Sequence, residues 1–546
     1  METPDNSTLN NDNFNNVNTI VNPNSNKNNT DLSNKNDNKI DVTPPSKNNS
    51  TETKVLYEYD LEANGLQAHV KIYTSASEFV PIYEVNFKGV SIATRLLLLS
   101  MRRPLLTMVP VDLSRIEDKQ YVSDLNKKYI EAADSLIDRY LPGIDKSTKN
   151  VLISYILNMM LGLGELEIPL SDDSLEEVTV NGAKYNIWVF HKKIGWCKTT
   201  LKPPSEESIY DQSEQIGRRV GREINNLSPL MDAELNDGSR INATLFPISQ
   251  SGNTLTIRKF SKNPWTMTAL IKNHTIDAVI AATVWLCIQN EISVLISGGT
   301  ASGKTSFLNA MSIFFPSTRR VISVEDTREL SLPVFLQWVP MISREPNPEG
   351  KGKISMYDLM INSLRQRPDI IVVGEIRTAD DAQTLFEAIH TGHSVYSTLH
   401  ADNVQDTIIR MTNPPISTPK ISMNALGIIL TVFRHRAKGI RRVLEFGELL
   451  RTGDANVLYR WNIRTDTFTK VSDMTRLLET LNLYTGMNKD EINNDIEEKV
   501  EVLNWMVKNN VIDVDDAGFV VANYYSNKEK VKEIVKSDLK FSRDLF

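Results

Sequence analysis

Ile292-Ser-Val-Leu-Ile-Ser297-Gly298-Gly-Thr-Ala-Ser-Gly-Lys304-Thr305 decides the fold. A short run of apolar, β-branched residues reads as a buried strand, and Ser306–Phe314 behind the turn is spaced as a helix. Between them Gly298, Gly299, Thr300, Ala301, Ser302 and Gly303 form a turn whose glycines let several backbone N–H groups face one point. The positive end of the helix dipole adds to that field. Lys304 would then reach the β- and γ-phosphates of ATP, and the Thr305 hydroxyl would ligate Mg²⁺. The strand before and the helix after are the context that separates a phosphate loop from a glycine-rich surface turn.

Working outward, Ile292–Ser297 is joined by further apolar strands at Val321–Val324, Ile370–Val373 and Val395–Leu399. Helical stretches near 355–366 and 379–390 separate them. Strands apolar on both faces, alternating with helices, imply a parallel sheet covered by helices. Beyond about 443 a hairpin and amphipathic helices near 489–509 and 527–537 are expected.

Upstream, Ala68–Tyr73 and Val80–Val85 read as short strands ahead of helices around 120–140 and 148–163. A second unit has strands Glu177–Asn181, Tyr185–Phe190 and Thr254–Arg258 with a helical stretch at Glu206–Arg222, and Ser261–Trp265 interrupts both periods. Residues 1–52 are about one third Asn, without apolar periodicity, so they cannot offset the entropy of ordering and are expected to be disordered. The organisation expected is therefore a tail at 1–52, an α+β N-terminal part at 53–262, a linker at 263–275 and an α/β domain at 276–546 that ends in helices.

Composition narrows the functional classes. At 546 residues the chain needs more than one core, and a net charge of −7 offers no global field for nucleic acid. Cys197 and Cys287 are the only cysteines, too few for a disulfide framework or a cysteine-rich zinc site. No apolar stretch is long enough to span a bilayer, and there is no secretory signal pattern, which points to a cytoplasmic protein.

Two acidic clusters follow strands of the same sheet: Glu325-Asp-Thr-Arg-Glu329 and Gly374-Glu375. The carboxyl ends of parallel strands are where ligands bind, so both would face the nucleotide. Three of the seven histidines, His390, His393 and His400, fall within eleven residues. His393 and His400 bracket a strand and would sit at its opposite ends. One would pack, and a neutral histidine near the γ-phosphate could sense ATP against ADP. Arg434-His-Arg-Ala-Lys-Gly-Ile-Arg441-Arg442 is a basic run open to several readings: nucleic acid, anionic lipid, an acidic protein loop or a solvated hairpin.

In order and spacing, Gly298–Thr305, Glu325–Leu330, Leu364–Arg377 and Thr391–His400 resemble the Walker A, Asp-box, Walker B and His-box segments of the type II/type IV secretion ATPase family. Asp237–Ala243 and Thr256–Phe260 resemble that family's N-terminal domain. The resemblance spans roughly 170–445. It implies a homohexameric ATPase with a RecA-like C-terminal domain and a mobile N-terminal domain closing over the nucleotide. It also implies Glu329 as the catalytic carboxylate, with Glu325 the second choice of base, and Glu375 as the Mg²⁺-associated one, through water. Arg240 and Arg258 match arginines that contact nucleotide from the N-terminal domain or a neighbouring subunit; a surface salt bridge is the plainer reading of each. Thr378 stands where many bacterial relatives have Asp, and their tetracysteine module is absent.

The wording of His390–Tyr396 and Asn413–Pro419 is similar to archaeal members, the archaellum motor and assembly ATPase foremost. The function expected is a motor at the inner face of the membrane. It would drive archaellum or type IV pilus-like filaments through a polytopic platform protein and accessory motor proteins. The alternatives are a type II-like secretion ATPase, a nucleic-acid translocase on the same fold and a non-hydrolysing nucleotide switch. Nucleic acid is the weaker reading in so acidic a chain.

Overall fold

Strands apolar on both faces must be covered on both faces, and the C-terminal half answers that demand. A computed structural model describes residues 53–109, 119–235, 237–260, 263–344, 346, 350–435 and 438–546. The Asn-rich segment 1–52, expected to be a disordered tail, lies outside the described residues.

The N-terminal sheet has nine strands: β1 Lys54–Ala63, β2 Leu66–Thr74, β3 Ile82–Phe87, β4 Leu175–Asn181, β5 Trp188–His191, β6 Gly195–Thr199, β7 Leu230–Glu234, β8 Arg240–Thr244 and β9 Thr254–Arg258. Their order is β1-β2-β3-β6-β5-β4-β9-β8-β7. The two upstream units expected from sequence are thus one sheet, welded where β3 runs parallel to β6 with Ile82 opposite Lys198 and Tyr83 opposite Thr199. Helices Ile92–Met108, Lys119–Tyr140 and Lys146–Leu161 share one core with this sheet, where Leu98, Tyr129, Ile137 and Ile156 are buried beside Val70, Ile72 and Tyr83.

The C-terminal sheet contains β10 Val294–Gly298, β11 Arg320–Glu325, β12 Gln337–Ile342, β13 Ile370–Val373, β14 Ser394–Leu399, β15 Ile428–His435, β16 Ile440–Leu449, β17 Ala455–Asn462 and β18 Thr467–Lys470. Its order is β12-β11-β13-β14-β10-β15-β16-β17-β18. The first six strands in that order run parallel, and β16 to β18 extend the sheet antiparallel, one strand more than the expected hairpin. Every residue of β10, β13 and β14 is buried.

Helix Ala278–Gln289 is apolar all round because it lies between this sheet and the C-terminal helices. Its Trp285 stacks on Phe314 at 5.1 Å and donates to the Tyr525 hydroxyl at 2.8 Å. Helices Arg476–Thr485, Lys489–Lys508, Val514–Ser526 and Lys528–Lys536 complete the chain. Helix Met267–Lys272 falls within the stretch 263–275.

Among the described residues no single helix is long and apolar enough to cross a membrane. The pair Lys146–Met160 and Gly164–Ser171 reaches that length only together, across a bend of 109°.

Candidate active site

The strand–turn–helix unit places its turn at the carboxyl edge of the parallel strands. Gly298 ends β10 where the chain leaves no room for a side chain: a Cβ there would collide with the Val432 carbonyl and Ser302 Oγ. Gly303 starts helix Lys304–Met311 at a φ of +102°, a backbone that favours glycine. Ala301 also has positive φ, 57°. Below the turn, Thr407 Oγ1 donates to Ser297 Oγ at 2.8 Å, and Ser297 Oγ lies 2.9 Å from Thr431 Oγ1. These hydroxyl contacts tie β10 and β15 to the helix Val404–Thr412.

Lys304 Nζ lies 3.7 Å from Glu375 Oε1 and donates to the Gly299 carbonyl at 3.5 Å. Burial pushes its ammonium pKa down, with Glu375 opposing the shift. Thr305 follows, half-buried in the first turn of the helix. Glu375 emerges from β13 and receives Arg377 at 3.0 and 3.1 Å, while the same guanidinium reaches Asp326 at the end of β11. Arg377 therefore links the two acidic clusters. The sequence placed it inside a motif and offered no signal for that role.

The two candidate bases sit differently. Glu325 is buried; its Oε1 accepts the backbone N–H groups of Glu329 and Leu330, both at 3.0 Å, and its Oε2 has no partner among the described residues. Burial raises its pKa to about 7, against the lowering effect of those two N–H donors. Glu329 is partly exposed, and its Oε1 lies 3.9 Å from Arg258 of the N-terminal sheet. Arg240 stands directly opposite Arg258 across β8 and β9. Asp232 holds Arg240 at 2.8 and 3.3 Å and raises its pKa, with Glu329 and Asp326 adding to the effect.

Two further contacts join the N-terminal sheet to this edge, and neither was expected from sequence. Glu234 accepts the Arg328 N–H at 3.3 Å, and Arg222 donates to the Pro346 carbonyl at 3.2 Å. Arg328 also lies over the Trp338 ring at 5.3 Å, and Trp338 Nε1 donates to Ser323 Oγ at 2.9 Å. The stretch carrying Glu329 is therefore held from three sides: Glu325 below, Glu234 across the interface and Trp338 beside it.

The histidines separate as their spacing required. His400 follows β14 at the carboxyl edge, with Nε2 2.9 Å from Thr300 Oγ1. His393 precedes the same strand, bonded to Thr391 Oγ1 at 3.0 Å and the Ala388 carbonyl at 3.1 Å. Six strand residues lie between them, about 20 Å of extended chain. His393 is thus far from the phosphate loop and cannot share its chemistry; its contacts are those of a packing histidine.

A family model for type II/IV secretion system proteins matches residues 222–444. An uncharacterized protein of Methanocaldococcus jannaschii is 34% identical over 384 residues, covering 68% of this chain and 69% of its own length. The chain belongs to the type II/type IV secretion ATPase family. Within it, the type IV secretion system protein PtlH of Bordetella pertussis is 26% identical over 307 residues, covering 50% of this chain and 89% of its own length. The solved structure of the Legionella pneumophila ATPase DotB is 19% identical, with a TM-score of 0.39 over 68% of this chain and 94% of its own. The C-terminal sheet is the RecA-like P-loop core of this secretion ATPase family, and the N-terminal sheet is its separate α+β domain.

A Mg²⁺-nucleotide fits these donors. Mg²⁺ keeps most of its waters and takes few protein ligands beside phosphate oxygens. Among the described residues there is no cluster of three or more His, Cys, Asp or Glu that would instead cage a metal. Thr305 with Glu375 is a donor set of the hydroxyl-plus-carboxylate kind that such an ion uses.

Proposed function

We propose that the chain hydrolyses ATP and uses the closure of its N-terminal sheet over the phosphate loop to do mechanical work. The observation that supports this most is the meeting of four charged groups at one edge. Lys304 and Glu375 are in contact, and Arg258 reaches across from the other sheet to Glu329. In this reading Lys304 turns from Glu375 to the β- and γ-phosphates, and the loop N–H groups hold the rest of the chain of phosphates. Glu329 orients the attacking water and takes its proton. Arg258, with Arg240 beside it, offsets charge that develops on the transferred phosphoryl group. His400, held by Thr300, stands where the terminal phosphate would be read. Thr305, and Glu375 through water, would hold Mg²⁺, which would supply positive charge to offset that of the phosphates.

Such a motor would act as a homohexamer at the inner face of the membrane, against a polytopic platform protein and accessory motor proteins. It would drive an archaellum or a type IV pilus-like filament. The archaeal wording of 390–419 and the archaeal relative support that choice over type II-like secretion. The contact of Arg441 with the phosphate loop supports a role for that residue other than nucleic-acid binding.

Lys304→Ala is expected to lose ATP binding and to lower hydrolysis at least a hundredfold, measured by phosphate release and by titration with ATP. Parent-like turnover in that variant would sink the proposal.

A further inference from the structure

The basic run 434–442 was open to several readings from sequence, and its position decides among them. β15 pairs with β10 as far as Gly298 opposite Val432. Beyond that point Phe433, Arg434 and His435 continue past the phosphate loop, paired with the start of β16. Three residues of strand carry this hairpin about 10 Å beyond the loop's root. It forms one wall of the loop, as the end of β14 with His400 forms the other.

Alternation along β16 sends its two arginines to opposite faces. Arg442 is buried and bound by both oxygens of Asp466 at 2.8 Å, so its charge is satisfied within the domain. Arg441 faces the loop. Its Nε donates to the Ala301 carbonyl at 3.4 Å, and its Cδ lies 3.4 Å from where a Cβ on Gly303 would stand. Arg434 is directly opposite it across the strand pair. Like charges so placed repel, and among the described residues neither arginine forms an ion pair. Burial lowers the Arg441 pKa; Glu176 of β4 is the acidic group that opposes this, and Arg434 adds to it. Two half-buried guanidinium groups, Arg441 against the phosphate loop and Arg434 beside it, with no ion pair to either among the described residues, are arranged for an anion.

The position also says which part of the nucleotide would be met. Lys304, Glu375 and His400 mark the β13–β14 side as the place of the terminal phosphate. A nucleotide seated on the loop must then run its other end toward β15 and β16. We infer that Arg441, backed by Arg434, is a nucleotide-binding residue that holds the α-phosphate. A planar guanidinium suits that group. This rests on the reading of Gly298–Thr305 as an ATP site.

The test is equilibrium binding of ATP and of ADP to the full chain, with steady-state hydrolysis, for the parent, Arg441→Ala, Arg441→Lys and Lys304→Ala. Arg441→Ala is expected to weaken ATP and ADP by the same factor, about tenfold or more. The loss should fall on KM more than on kcat, and Arg441→Lys should recover part of it. A structural role alone would lower the melting temperature and leave both dissociation constants as in the parent, which would overturn the inference. So would weakening of ATP alone, since that places Arg441 at the γ-phosphate. If Arg441→Ala fails to fold, Arg441→Lys carries the test: parent-like affinity for both nucleotides then counts against a bidentate contact and overturns the inference. A parent that binds neither nucleotide would instead refute the ATP site itself.

Discussion

Glu325 turns one carboxylate oxygen to the Glu329 and Leu330 amides and buries the other without a partner among the described residues. It positions the chain that carries Glu329, while Glu329 keeps a free approach to the cleft and to Arg258. Glu329→Gln is therefore expected to bind ATP normally and to lose at least a hundredfold in kcat. Glu325→Gln, which still accepts both N–H bonds, should lose less. The two differ in a second way. The folded pKa of Glu325, about 7, is above the ordinary value of 4.5, so the folded state binds more protons between those limits. Stability from this group is present below about pH 4.5 and is lost as pH rises through 7. Glu325→Gln should accordingly gain stability relative to the parent by about 1–3 kcal/mol at pH 8, and little or none at pH 4.5. Urea midpoints at the two pH values check this; an equal shift at both would contradict it.

Helix Ala379–His390, which follows β13, is capped by Thr378, where the family resemblance implies Asp in bacterial members. Thr378 and Asp381 form a reciprocal cap. Thr378 Oγ1 accepts the Asp381 N–H at 3.2 Å, and Asp381 in return accepts the Thr378 and Arg377 N–H groups at 3.0 and 3.2 Å. Either residue type can fill that role. Thr378→Asp should be neutral, and Thr378→Ala should cost about 1 kcal/mol by chemical unfolding. A parent-like midpoint for the alanine variant would show the cap to be dispensable. How far elements were legible follows from their burial. β10, β13 and β14 are buried on both faces; Val294–Ile296 and Ile370–Val373 are apolar runs that read directly, whereas Ser394, Ser397 and Thr398 interrupt β14. β1 is exposed along most of its length, and Tyr57-Glu-Tyr-Asp-Leu-Glu62 carries charge at alternate positions with no apolar run. Helix Ile92–Met108 was hidden by Arg102, Arg103 and the interior Pro104.

Across the molecule, nine strands drawn from two separated stretches make the N-terminal sheet, and no local pattern announces the β3–β6 pairing that joins them. The same limit applied to the site. Its residue types and their order were readable, whereas the contacts of Glu234 with Arg328 and of Arg441 with Ala301 depend on chain segments more than ninety residues apart. Arg258 and Glu329 meet within a single chain, the arrangement expected if each subunit of the proposed hexamer closes its own site. Light scattering should show ATP-promoted hexamers. Mixing Arg258→Ala with Lys304→Ala chains should then restore no hydrolysis, because each chain lacks a part its neighbour does not lend. Recovered turnover would place the arginine in the neighbour's site, and a monomer in every nucleotide state would remove the hexamer.

Trp338 gives this molecule an optical channel of its own. Its indole is bonded to Ser323 and covered by Arg328, one residue from Glu329, whereas Trp285 is locked in the core by Phe314 and Tyr525. In a chain that keeps Trp338 as the one tryptophan of the seven, emission would follow the stretch that carries Glu329. Movement of that stretch would then be timed by a residue the chain already carries.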